Sequence, residues 1–442
     1  MDLLLILKAK FNDFVMIRKW RFVSLLLVLV PHILLAQVNF SDYFINKTLR
    51  VDYLLNGTEN TAEVILKQLK KEFNYGGSHV NLIDETDMGT YRYRLFDQAS
   101  DELIFSRGFC PIFQEWQTTD EAKLRKGSFY QVAILPFPKK KSRFVIEERN
   151  WDGDFVEVYS TEIDPENYFI IEEQLPDYEV EKILTSGQPQ KKVDVVILPE
   201  GYTADEMDKF VADAKRMTNA LFETAPFDKH KKDFNFYAVK VPSVESGTDI
   251  PGEHIYKNTA FNSHFYTFDT PRYLTSQDML SIHDAAAVVP YDHIYVLVNT
   301  DRYGGGGFYN FISLASADDI LAEKVFIHEF GHGFAGLADE YYSSDVAYSE
   351  YYNLKVEPWE PNITTLVRFD SKWEDMVDKN TPQPTPRAGK YKNTVGVFEG
   401  GGYIDKGIYS PMMDCRMKSN EAKGFCPVCM AAIEQAIQWY CE

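Results

Sequence analysis

The 442 residues predict an α/β domain built around one polar-studded helix, preceded by an all-β, β-sandwich-like domain. Three observations carry this. Between about Asn39 and Pro176 the chain is rich in tyrosine, phenylalanine and valine, in strand-like alternation. From Val193 onward, short apolar runs alternate with helical faces. The stretch His328–Tyr342, HEFGHGFAGLADEYY, sets two histidines four apart in an apolar helical stripe, where unpaired polar groups are costly to bury.

Residues 1–36 read as a secretory signal. From Met16, an alternative start, MIRKWRFVSLLLVLVPHILLAQ has a basic beginning, an apolar core broken by Pro31 and His32, and Ala36 at a cleavage point. A retained anchor is the alternative, and no cysteine marks a lipoprotein. The mature chain is therefore expected to be exported (secreted, periplasmic or at the cell surface) and to lack a membrane span. Its charge is −20, and removing the signal's five basic and two acidic residues leaves −23. That balance argues against nucleic acid or an anionic membrane as partner.

Residues 37–185 form the expected β-sandwich-like domain. Strand candidates are TYRYRLF from Thr90, SFYQVAIL from Ser128 and DFVEVYS from Asp154, with turns at Asn56-Gly57 and Asp152-Gly153. Thr61–Phe73 is expected as a helix. His79 and Cys110 stand alone and read as structural. Thr185–Lys192, TSGQPQKK, is the linker candidate.

Residues 186–442 form the α/β domain. VDVVIL, from Val193 to Leu198, reads as a buried strand. Thr203 and Glu206 make a capping box ahead of a helical face of Met207, Phe210, Val211, Ala214 and Met217. Asn235–Val241 and Asp292–Val298 are further strands. Four glycines, Gly304 to Gly307, lead into FYNFISLAS.

Ser316–Ala335 is expected as one helix, opened by Ser316 and Asp319. Ile320, Ile327, Phe330 and Phe334 mark one side, and Leu321, Val325, His328 and His332 another. Two histidines on one helical face can grip one ion, and Glu329 beside them can reach a water bound to it. Gly336 would end the helix in a left-handed bend and bring Asp339 back as a third ligand. Glu340, adjacent and chemically equivalent, is the alternative.

These residues resemble the zincin superfamily of metallopeptidases. In its metzincin branch a third ligand follows a glycine bend by three residues, and Gly336 to Asp339 keeps that interval. One additional residue before the glycine, and aspartate in place of histidine, make HExxHxxxGxxDEY similar to the IgA-peptidase family of zinc endopeptidases. LPEGYTADE resembles the start of that family's catalytic domain. The resemblance implies a zincin-like fold, one catalytic zinc ion held by His328, His332 and Asp339, and Glu329 as general base in promoted-water hydrolysis of a polypeptide substrate. It implies a methionine turn beneath the metal, for which YSPMMDCRMKS offers Met412, Met413 and, favoured, Met417. It implies an oxyanion tyrosine, with Tyr341, Tyr309 and Tyr409 as candidates. It also makes the strand before the helix an edge for substrate, with the glycine run either admitting a peptide or forming a flexible loop.

Cys415, Cys426, Cys429 and Cys441 cluster at the carboxyl end. CPVC suits structural zinc, but in an exported chain disulfides are the favoured expectation. His230, His254, His264, His283 and His293 show no ligand spacing. Two other functional classes are a surface binding or adhesion protein with a vestigial peptidase domain, and a zinc amidase or deacetylase. The intact histidine–glutamate–histidine triplet speaks against the first.

Overall fold

The computed structural model describes residues 38–172, 174–342 and 351–441, and the export signal expected over residues 1–36 lies outside them. Alternation shapes the first part of the chain. Strands β1 (Phe44–Thr58), β2 (Thr61–Glu72), β3 (Tyr91–Asp97) and β4 (Leu103–Phe109) precede helix α1 (Ile112–Gln117). Strands β5 (Gly127–Pro138), β6 (Ser142–Arg149), β7 (Phe155–Ile163) and β8 (Ile171–Glu172) follow it. They make two four-stranded sheets, ordered β5-β1-β2-β8 and β4-β3-β6-β7. In β3, Tyr91, Tyr93, Leu95 and Asp97 are buried while Arg92, Arg94 and Phe96 are half-buried, the period-two pattern of a sheet with one face covered. The two sheets meet where the Tyr93 hydroxyl donates to the Ile134 carbonyl at 3.0 Å.

Two expectations fail here. Thr61–Phe73 is not a helix: Thr61–Glu72 pairs antiparallel along β1, and a long partner strand overrides the helical propensity of its lysines and leucines. The turn falls at Glu59-Asn60, because Asn56 and Gly57 are still in the ladder, opposite Glu63 and Ala62. Gly57 is needed for another reason, since a Cβ there would lie 1.8 Å from the Thr61 carbonyl oxygen.

The second part adds β9 (Val180–Leu184), β10 (Val193–Glu200), α2 (Met207–Phe222), β11 (Phe234–Val239), α3 (Met279–Ala286), β12 (His293–Val298), β13 (Gly305–Gly307) and β14 (Ile312–Ser316). Helix α4 (Ala322–Ala335), the hairpin β15 (Phe398–Gly401) and β16 (Ile404–Ser410), and helix α5 (Pro427–Cys441) complete it. Its main sheet runs β13-β14-β12-β10-β11-β9, parallel through the middle with antiparallel β13 and β9 at its ends. Strand β9, ahead of the linker expected at Thr185–Lys192, already belongs to this sheet.

Strand β10 is buried along its whole length, as an uninterrupted apolar run requires of a parallel strand covered on both faces. Val193, Val195 and Ile197 join a core with residues of α2, α4 and α5. Val196 and Leu198 face the other way, into a core continuous with the N-terminal sheets. Ile294 and Val296 of β12, and Ile312 and Leu314 of β14, do the same. The expected capping box is present: Thr203 N–H donates to Glu206 Oε2 at 2.9 Å ahead of α2.

The helix carrying the histidines begins later than expected. Ser316 ends β14, where its hydroxyl donates to the Gly304 carbonyl at 3.2 Å and its N–H to the same oxygen at 3.1 Å. Asp319 prepares the helix instead, accepting from Leu321 N–H through Oδ1 at 2.8 Å. Ile320 therefore precedes the helix and is 96% exposed, not part of its apolar side. Strand β14 is not an edge either, because the glycine run itself forms β13 outside it. Among the described residues no helix is long and apolar enough to cross a membrane.

A buried charge ties the N-terminal sheets to the second part. Arg50 of β1, fully buried, places Nε 2.7 Å from Asp52 Oδ1 and Nη1 2.6 Å from Asp284 Oδ1 on α3. Replacing Arg50 by Met would leave Asp52 without its buried countercharge, so Arg50→Met is expected to cost about 3–5 kcal/mol. A fall in the urea unfolding midpoint at unchanged slope measures it, and a shift within error would refute the tie.

Candidate metal centre

One turn of α4 separates His328 from His332 and brings their Nε2 atoms to 3.0 Å. Each ring is turned by a backbone carbonyl: His328 Nδ1 lies 3.0 Å from Arg416 O, and His332 Nδ1 bonds Leu337 O. A carbonyl only accepts, so both Nδ1 atoms carry the proton and both Nε2 lone pairs face each other. That arrangement calls for a proton or a cation between them.

The helix ends at Gly336, with φ +61°; its N–H reaches His332 O at 3.0 Å, and Leu337 N–H reaches Gly331 O at 3.2 Å. This is the left-handed (αL) reversal of a helix end, which an L side chain would strain. The additional residue before the glycine is absorbed by letting α4 run to Ala335. Beyond the bend, Asp339 Oδ1 lies 3.1 Å from His328 Nε2 and 3.4 Å from His332 Nε2. Its Oδ2 accepts from the hydroxyls of Tyr341, at 2.8 Å, and Tyr403. One oxygen is thus anchored while the other faces the histidines.

The electrostatics favour positive charge at this point. Burial discourages a charged His332, but Asp339 and then Glu329 outweigh it and lift the ring to about 9. Burial likewise opposes a charged Asp339, and the two histidines overcome it, holding the carboxyl well below its ordinary range. Glu329 is pushed upward by burial, against the pull of both histidines.

The Glu329 carboxylate rests against the glycine strand. A Cβ on Gly305 would lie 2.7 Å from Glu329 Oε1, and one on Gly307 3.1 Å from Oε2 and 2.4 Å from the Glu329 carbonyl oxygen. Close approach of α4 is thus a reason for glycine here that neither substrate entry nor loop flexibility supplied. The strand's outer side is partly covered, with Leu274 N–H bonding Gly305 O at 3.3 Å.

Met417 is fully buried beneath α4, with Sδ 2.9 Å from the place a Gly331 Cβ would occupy, while Met412 and Met413 are half-buried. Of the three tyrosines, Tyr341 touches Asp339. Tyr309 packs its ring on Trp359 at 5.6 Å, and the backbone of Tyr409 bridges to Thr364.

Two groups escaped the sequence reading. Tyr403 enters from the β15–β16 hairpin, whose Gly402 N–H bonds Asp339 O at 2.8 Å; the GGGY run at Gly400 was the available signal. Arg272 hydrogen-bonds Tyr341, and although burial works against its charge, Tyr341 and Asp339 raise its pKa further. Nothing in its sequence context marks it.

Glu340, the alternative third ligand, turns away from the histidines. Its Oε1 lies 3.1 Å from Asn362 Nδ2 and 3.2 Å from Cys429 Sγ. The favoured disulfides are not formed either. All five cysteines are free, and Cys415 and Cys429 hold their sulfurs 3.7 Å apart, beyond the roughly 2.05 Å of an S–S bond. Cys441 lies apart from the other three, against the Asp233 carbonyl at 3.5 Å.

Comparison with known families agrees with this geometry. A family model described as IgA Peptidase M64 matches residues 181–392 and 387–437, and one described as Peptidase M64 N-terminus matches residues 39–160. No curated protein matches the chain. Matched over more than half its length, including the helix that bears the histidine pair, the chain belongs to the IgA peptidase M64 family of metallopeptidases.

Proposed function

We propose that the chain is an exported zinc endopeptidase that hydrolyses peptide bonds of extracellular proteins. One observation carries the reading: His328 Nε2, His332 Nε2 and Asp339 Oδ1 converge at 3.0, 3.1 and 3.4 Å with the Glu329 carboxylate alongside. Two imidazoles and a carboxylate suit a tetrahedral zinc that keeps one position open, and the field that lifts His332 favours a cation there. When bound, zinc polarises a carbonyl and acidifies water.

The chain's own residues supply the rest. Glu329, with its basicity raised by burial, takes a proton from the attacking water and passes it to the leaving amine. Tyr341 and Tyr403 spend their protons on Asp339 and hold it in place. That leaves Arg272, kept cationic beside Tyr341, as the better group to meet charge developing on the carbonyl oxygen. Export is supported by the signal-like pattern from Met16 to Ala36.

Glu329→Gln should retain the wild-type zinc content while peptide hydrolysis falls by about 10²–10⁴-fold, since the base is lost and no ligand is. Equal cleavage by the two proteins would sink the mechanism. Gly305→Ala drives a methyl into Glu329, and a misplacement on the order of 1 Å should lower kcat roughly 100-fold with folding retained; an unchanged kcat would show that Glu329 is not positioned by the glycine strand. Below its raised pKa of about 9, His332 holds a proton that the metal must displace. The zinc concentration that half-reactivates the stripped enzyme should therefore rise roughly tenfold for each pH unit lost below that value. A flat dependence between neutral pH and that value would contradict the competition.

A further inference from the structure

We infer that Glu340, Cys415, Cys426 and Cys429 form a second metal site, one that binds zinc structurally and braces the catalytic centre. The four ligand atoms lie within 4.8 Å of one another. Exposure is 0% for Glu340, 1% for Cys415, 4% for Cys426 and 0% for Cys429. Around a tetrahedral zinc, bonds of about 2.3 Å to sulfur and about 2.0 Å to oxygen place neighbouring sulfurs about 3.8 Å apart and sulfur about 3.5 Å from oxygen. Cys415 Sγ and Cys429 Sγ are 3.7 Å apart, and Glu340 Oε1 lies 3.2 Å from Cys429 Sγ and 4.0 Å from Cys426 Sγ. The distances match the edges of that tetrahedron, not a disulfide.

The backbone offers donors to two of the three sulfurs. Backbone N–H groups reach Cys415 Sγ from Cys426 at 3.2 Å and Cys426 Sγ from Cys429 at 3.5 Å. Cys426 directly precedes α5, and Cys429 lies in its first turn, where the helix dipole favours negative charge. Glu340 Oε2 has no hydrogen-bond partner, a costly condition for a fully buried carboxylate unless a cation completes the cluster. Thiolate-rich tetrahedral sites select zinc among common divalent ions.

Position in the chain links this site to the first. Glu340 follows Asp339, and its N–H bonds the Met417 carbonyl at 2.8 Å. Cys415 precedes Arg416, whose carbonyl orients His328, and Met417, which lies beneath α4. An ion joining Glu340 to Cys415 thus clamps both segments that present groups to the histidine pair.

The test is metal analysis of the full chain purified without reductant. We expect about two zinc ions per chain in the wild type and about one in a His328→Ala, His332→Ala variant. Cobalt in that variant should show thiolate-to-cobalt charge transfer, and Cys415, Cys426 and Cys429 should resist alkylation until a chelator is added. A Cys429→Ser chain should lose the charge-transfer band; the wild-type stoichiometry and alkylation stand whether or not that variant folds. The proposal is overturned if the double-histidine variant binds no metal, or if peptide mapping finds a disulfide between any two of the three cysteines. The peptidase reading fails separately, through full activity of Glu329→Gln.

Discussion

Two imidazole lone pairs held face to face constrain the rest of the centre. His328 and His332 each commit Nδ1 to a backbone carbonyl, and the two carbonyls come from different parts of the chain, Leu337 just past the helix and Arg416 88 residues beyond His328. Turned this way, the Nε2 atoms are 3.0 Å apart in a place where like partial charges repel. Asp339 adds a negative group and makes the point between them attractive to a cation. The bend at Gly336, the Arg416–Met417 segment and the tyrosines on Asp339 all serve that one geometry.

The platform beneath it is a sheet buried on both sides. Val195 and Ile197 of β10 face the helices, while Val196 and Leu198 face the core shared with the N-terminal sheets. Those sheets therefore cover the second face of the main sheet and are not a detached appendage. Polar ties reinforce the contact: Arg107 donates to Asn310 Oδ1 at 3.2 Å and to the Tyr440 hydroxyl, joining β4 to both the loop before β14 and helix α5. Rigidity of this kind matters because α4 must bring Glu329 against bare glycine backbone to within van der Waals reach.

Asp339 and Glu340 show how neighbouring acids acquire different chemistry. Both are buried, yet Asp339 is flanked by two histidines and held ionised, whereas burial and the nearby Cys415 push Glu340 well above its ordinary range. Environment, not residue type, separates them. The same holds for the tyrosines, since Tyr341 meets Asp339 while Tyr309 packs against Trp359.

Local pattern determined much of this protein. The spacing of His328, Glu329 and His332, the Gly336 bend and the T-x-x-E box were legible because each depends on contacts a few residues apart, and β10 was legible because its apolar run is unbroken. What lay beyond reach depended on distant partners. Thr61–Glu72 is a strand only because β1 lies beside it, and the glycines of β13 are required by a helix that follows them. Tyr403 and Arg272 reach the centre from loops with no spacing relation to the histidines. That Asp339 faces the histidines while Glu340 faces Cys429, with three cysteines gathered around it, follows from how the chain packs after the bend. Sequence supplied the polar groups, and long-range packing assigned each of them its partners.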